Sequence, residues 1–142
     1  MRSLLKVAWD KATVVPIRVQ TNPCQRILVV EDETDIRQLS TQVLARAGFA
    51  VDVAEDGLAG WEALHAKNYH LLITDHDMPR LTGLELVKRL RSARMALPVI
   101  LASGTLPMQQ SQWDQELQLA AILPKPFSGD QLLGTVKEVL RV

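Results

Sequence analysis

Apolar positions in this chain gather into short runs separated by amphipathic stretches, and from Arg26 onward the alternation is regular. Ile27 to Val30 is an apolar run of the kind that forms a strand buried on both faces. It ends at Glu31-Asp32-Glu33, after which Ile36, Leu39, Val43, Leu44 and Ala47 recur at helical spacing until Gly48 stops the helix. Phe49, Val51 and Val53 alternate as a strand with one buried face, and Glu55-Asp56-Gly57 turns the chain into a second helix carrying Leu58, Trp61 and Leu64. His70 to Thr74 is a third buried strand, stopped by Asp75 and a Met78-Pro79 turn. The loop through Pro79, Thr82 and Gly83 opens a third helix with Leu84, Val87 and Leu90 inward. Val99 to Ala102 is a fourth strand, ending at Ser103-Gly104. Met108 to Leu119 is a less regular fourth helix with Trp113 and Leu117 on one side, and Ala120 to Leu123 a fifth strand closed by Lys125-Pro126. Ser128 with Gln131 three residues on is a capping-box start for the last helix, whose stripe is Leu132, Leu133, Val136, Val139 and Leu140.

Five strands, each followed by a helix, imply right-handed crossovers and a parallel sheet covered on both faces. The predicted fold is a doubly wound, flavodoxin-like α/β sandwich with strand order 2-1-3-4-5, in which the first and third strands are neighbours where ligands bind. Residues 1–25 do not share the rhythm: Arg2, Lys6, Lys11 and Arg18 face only Asp10, and Pro16 breaks Val14-Val15-Pro16-Ile17. The expected organisation is an N-terminal extension of unassigned role over 1–25 and one domain over 26–142.

Composition narrows the function. With 142 residues, 47% of them hydrophobic, the chain can bury one sizeable core. Sixteen basic residues balance sixteen acidic ones, which gives no electrostatic case for direct contact with nucleic acid or an anionic membrane and points to a protein partner. Cys24 is the single cysteine and suits a reducing compartment, and no apolar run approaches a membrane span. A cytoplasmic location is expected.

The chemistry sits where the strands stop. In the predicted topology Glu31 and Asp32 from the first strand, Asp75 from the third, Ser103 from the fourth and Lys125 from the fifth meet at one sheet edge. Three unpaired carboxylates repel one another and hold each other's pKa values up unless a cation lies among them. An oxygen-only set with no His or Cys partners suits Mg2+ rather than zinc. A metal neutralising charge there would let the Asp75 carboxylate attack phosphorus in line, with Lys125 and the Ser103 hydroxyl holding the other phosphoryl oxygens.

The stretches ILVVEDE, LLITDHDMP, ILASG and LPKPF resemble the four signature segments of the response-regulator receiver domain of two-component signalling, over about Arg26 to Val142. The resemblance implies that Asp75 accepts a phosphoryl group from a histidine kinase or phosphotransfer protein. It further implies that Asp32 and Asp75 ligate Mg2+ with Glu31 nearby or through water, and that the backbone carbonyl of Asp77 completes the protein ligands. Ser103 stands at the family's Thr/Ser switch position and Lys125 at its lysine, with a cis bond to Pro126. A downstream partner would bind the face of the fourth helix, fifth strand and last helix. One departure is Ile122, where the family usually carries an aromatic residue that turns inward on phosphorylation. Asp77 and Thr105 resemble positions that tune phosphoryl lifetime.

Each residue also has a plainer reading. Glu31, Asp32 and Glu33 could simply favour a helix N-terminus, Asp75 and Asp77 could form a turn, and Lys125 could be a solvated lysine. His76 reads as an exposed loop imidazole and Trp61 as a core residue. Two rival functions remain. Asp75-x-Asp77 resembles the acid pair of haloacid-dehalogenase-type phosphohydrolases, although Pro79 and the position after a third rather than a first strand oppose it. A pseudo-receiver, which binds without being phosphorylated, gains weight from Ile122.

Overall fold

The computed structural model describes residues 24–104 and 116–142. The apolar runs become five short strands: β1 (Arg26–Val30), β2 (Ala50–Ala54), β3 (Leu71–Asp75), β4 (Val99–Ser103) and β5 (Ala121–Pro124). The described helices are α1 (Thr34–Arg46), α2 (Gly57–Ala66), α3 (Gly83–Ser92) and, after β5, α4 (Gly129–Leu140). All strand pairs are parallel and the order is β2-β1-β3-β4-β5, the predicted doubly wound, flavodoxin-like arrangement. The predicted helix over 108–119 lies mostly outside the described residues, where Trp113 and Thr105 also fall; Glu116 and Leu117 are helical.

Strand alternation sorts the core into two layers. Leu28 and Val30 of β1, Leu72 of β3 and Leu101 of β4 face one way and pack with Leu64 of α2 and Leu84, Val87 and Leu90 of α3. Ile27, Val29, Leu71, Ile73 and Ile100 face the other way, against Leu44 of α1 and Leu132 and Val136 of α4. The three central strands are therefore apolar on both faces, as their sequences require. Burying each of these large side chains contributes roughly 1.5–3 kcal/mol, so the sheet edge that carries the polar residues stands on a rigid base.

The apolar stripes are narrower than predicted at one margin. Leu39, Val53 and Leu58 are 39%, 47% and 42% exposed, and the residues that α1 fully buries are Ser40 and Leu44. The cause is position: β2 is a sheet edge, and Val53 lies beside Arg37, Gln38, Thr41 and Gln42, the polar side of α1. Trp61 packs partly buried against the α2–α3 core, with the His65 ring edge-on at 4.4 Å between centroids.

Helix starts follow side-chain chemistry. Ser128 and Gln131 form the predicted capping box, and Thr82 and Glu85 form a second at the start of α3. Asp56 caps α2 by accepting from Ala59 N at 2.8 Å. These caps fix where the loops at the carboxyl edge of the sheet enter their helices.

Candidate metal and phosphoryl site

Register alone brings the acids together. Val30 pairs with Thr74, so the next residues out, Glu31 and Asp75, leave neighbouring strands side by side. Asp75 pairs with Ala102 and Ser103 with Pro124, which brings Ser103 and Lys125 to the same edge. Glu31, Asp32 and Asp75 each offer a carboxylate oxygen within 4.8 Å of the others; Glu31 and Asp75 are buried and Asp32 is exposed.

Lys125, whose bond to Pro126 is cis as expected, reaches into this group. Its Nζ lies 2.9 Å from Glu31 Oε1, 3.1 Å from Asp75 Oδ1 and 3.9 Å from Glu33 Oε1. The main chain adds further support: Arg37 Nη1 donates to Glu31 O at 2.8 Å and Glu33 N to Glu31 Oε2 at 3.2 Å. Gly83 has no room for a side chain, because a Cβ there would lie 2.2 Å from Asp75 O. Its N donates to His76 O at 3.0 Å, and His76 N donates to Ala102 O at 2.9 Å, so the loop after β3 is tied down on both sides of Asp77.

The electrostatics show the strain of this arrangement. Burial, opposed by the bond to Lys125 and reinforced by the Asp75 charge, pushes the Glu31 carboxyl from 4.5 up to about 7. Burial also raises Asp75, against the pull of Lys125 and of the Asp77 N–H. Burial works against the Lys125 charge, but the bonds to Glu31 and Asp75 outweigh it and hold the ammonium above its ordinary value. One ammonium faces three carboxylates, so the pocket keeps a net negative charge that a hard cation would balance. The donor set fits one: closely spaced oxygens, two of them on buried groups, with Asp32 open to water.

All the predicted site residues lie at this edge. Ser103 is buried, and its hydroxyl donates to Asp77 Oδ2 at 3.4 Å, so in this state it serves the Asp77 side chain. His76 is half-buried, not the exposed imidazole expected, because its backbone belongs to the hydrogen-bonded turn between β3 and α3. Sequence reasoning missed Arg37 and Gly83 as supports and missed Arg80, which pairs with the α2 cap Asp56. Of these, only Gly83 carried a local signal, as the first helical residue inside the Thr82-x-x-Glu85 capping box.

Comparison with known proteins agrees with the geometry. The family described as "Response regulator receiver domain" matches residues 27–137. The Escherichia coli (strain K12) "Transcriptional regulatory protein CusR" is 34% identical over 116 residues, covering 82% of this chain and 51% of that protein. "Response regulator MprA" of Mycobacterium ulcerans is 32% identical over 116 residues, 82% of this chain and 50% of that protein. The chain spans about half the length of the curated relatives it matches. Among solved structures, the chemotaxis response regulator CheY4 of Vibrio cholerae superposes with a TM-score of 0.75 at 28% identity, over 82% of this chain and 99% of that one. A CheY-like receiver domain protein from Methanospirillum hungatei JF-1 gives 0.78 at 26%, over 84% and 95%. With its acids, lysine and hydroxyl at the carboxyl edge of a 2-1-3-4-5 sheet and a family match across nearly all of that sheet, the chain belongs to the response-regulator receiver domains of two-component signalling.

Proposed function

We propose that residues 26–142 form a phosphoacceptor receiver in which Asp75 takes a phosphoryl group from a histidine kinase or phosphotransfer protein, in a Mg2+-dependent reaction in the cytoplasm. The observation that carries this reading is the buried Asp75 carboxylate held between Glu31, Asp32 and the Lys125 ammonium. Asp32, Asp75 and the backbone carbonyl of Asp77 would hold the ion, with Glu31 acting nearby or through water. When bound, Mg2+ supplies positive charge shared between these carboxylates and the phosphoryl oxygens.

The chain's own residues account for the rest. An ionised Asp75 oxygen forms a bond to phosphorus as the bond from phosphorus to the donor nitrogen breaks, and the electron pair leaves on that nitrogen, which takes a proton from water. Lys125, now bridging Glu31 and Asp75, is close enough to turn to a phosphoryl oxygen. The Ser103 hydroxyl would leave Asp77 for another. The chain thereby catalyses only its own phosphorylation and dephosphorylation, and it signals by presenting a changed surface on β5, α4 and the helix predicted over 108–119 to a protein partner.

The pseudo-receiver reading keeps one specific support, Ile122, half-buried in β5 where an aromatic switch would stand. Incubation with Mg2+ and either acetyl phosphate or phosphoramidate, read by intact mass, separates the two. One phosphoryl adduct, absent with EDTA and absent from Asp75→Asn, is expected. No adduct with either donor, joined to failure to bind Mg2+, would establish the pseudo-receiver instead.

A further inference from the structure

The loop that joins β3 to α3 carries Asp77, and its tip is held from outside the site. Arg80, at that tip, has φ +69°, a left-handed conformation uncommon for a non-glycine residue. Its guanidinium Nη2 donates to Asp56 Oδ2. Asp56 is itself immobilised: it is 7% exposed, and its other oxygen, Oδ1, accepts from Ala59 N at 2.8 Å in the first turn of α2. The neighbouring residues repeat the contact, since a Cβ at Gly57 would lie 2.5 Å from Leu81 O and 2.7 Å from Leu81 Cβ. Two consecutive residues of the β2–α2 loop thus grip two consecutive residues of the β3–α3 loop. The Arg80 side chain is 60% exposed, so it adds little to the core.

We infer that Arg80 and Asp56 are positioning residues for the metal site: their ion pair, with the Gly57–Leu81 contact beside it, fixes the loop tip so that the main chain at Asp77 stays against Asp75. The inference rests on the proposed Mg2+ reading and deepens it. Asp77 lies three residues before Arg80, and its backbone N–H already bonds the Asp75 carboxylate. The base of the loop is pinned at His76 and Gly83, and inside it Met78 N donates to His76 O at 3.0 Å and Leu81 N to Pro79 O at 2.8 Å. These bonds are local and move with the tip, so the contact with the β2–α2 loop is what ties the tip to its neighbour. Without the ion pair, the Arg80 side chain keeps only the more distant Glu55 charge, and its left-handed backbone rests on the local bond from Leu81 N to Pro79 O. Rotation there would swing the Asp77 carbonyl while leaving Glu31, Asp32 and Asp75 on their strands.

The test is Mg2+ titration of the whole chain by isothermal titration calorimetry, with thermal melting of the metal-free protein alongside. The variants are Arg80→Gln, Asp56→Asn, the double variant and Arg80→Lys; Asn caps a helix as well as Asp, so Asp56→Asn keeps the α2 start. Groups that orient a ligand without touching the metal commonly change affinity by tenfold or more, so each single variant is expected to weaken Mg2+ binding by about tenfold. The double variant should be no weaker than either single one, Arg80→Lys should recover part of the loss, and metal-free melting should hardly move. Unchanged affinity in both single variants, or losses that multiply in the double, would overturn the inference. Lower melting temperatures with unchanged affinity would overturn it too, by making the pair purely structural. Failure of the wild type to bind Mg2+ would overturn the parent reading and this one together, whereas wild-type binding with unaffected variants would overturn this one alone.

Discussion

Replacing Glu31 by Gln separates a built cation site from an incidental cluster of acids, because the two differ in the sign of the effect on stability. Glu31 is 3% exposed, and burial lifts its carboxyl from 4.5 to about 7 even with Lys125 2.9 Å away. A carboxyl whose folded value lies above its unfolded value costs nothing at pH below the unfolded value. It destabilises progressively as pH rises toward the folded value, so the native state is favoured near pH 4.5 and loses that advantage by about pH 7. At about 1.4 kcal/mol for each pH unit of separation, keeping Glu31 ionised costs the metal-free protein at most about 3 kcal/mol. That is a large part of the roughly 5–15 kcal/mol by which a domain is stable. Gln retains an oxygen to accept from Lys125 and removes the charge, leaving Lys125 paired with Asp75. Urea unfolding in EDTA from about pH 5 to about pH 8 reads the difference directly. The wild type should lose up to about 3 kcal/mol more than Glu31→Gln across that range, so the variant should be the more stable protein at the alkaline end. Mg2+ should then stabilise the wild type more than the variant. Parallel pH profiles, or a variant less stable at high pH without metal, would refute the reasoning.

Three other substitutions probe neighbouring claims. Gly83→Ala places a Cβ 2.2 Å from Asp75 O, so a loss of about 1–3 kcal/mol in urea unfolding is expected together with loss of phosphorylation; an unchanged midpoint would deny the close approach. Ser103→Ala removes a buried hydroxyl whose bond to Asp77 is long at 3.4 Å, so stability should change by about 1 kcal/mol or less. The adduct should still form in that variant, as intact mass would report, but should no longer alter partner affinity. Ile122→Tyr should leave phosphorylation intact while changing partner affinity, and loss of labelling in that variant would count against the switch reading.

Much of the site was legible because strand ends announce themselves. The runs Ile27 to Val30, Leu71 to Thr74 and Val99 to Ala102 are apolar on both faces and each gives way to a polar residue, so Glu31, Asp75 and Ser103 could be placed at one edge before any register was known. The Ser128 cap was legible for the same local reason. Periodicity alone could not tell that β2 is an edge strand, so Leu39, Val53 and Leu58 were assigned to buried stripes that the fold leaves partly open. Long-range polar partnerships left no local trace. Asp56 and Arg80 are 24 residues apart, and each reads as an ordinary turn residue until the loops meet. Arg91 shows the same limit: its guanidinium donates to the carbonyls of Met95 and Leu97 in the α3–β4 loop and of Leu117 in the segment before β5, at 2.7–2.9 Å, through backbone groups that any sequence would supply.

Chemical trapping tests the central claim most directly. After incubation with Mg2+ and acetyl phosphate, borohydride reduction converts an aspartyl phosphate to homoserine, and peptide mass mapping then locates the modified position. Homoserine at position 75, and nowhere else, is the predicted result, because Asp75 is the buried carboxylate that Lys125 and the neighbouring acids hold at the sheet edge. Homoserine at Asp77 or Asp32 with position 75 unchanged would contradict the account.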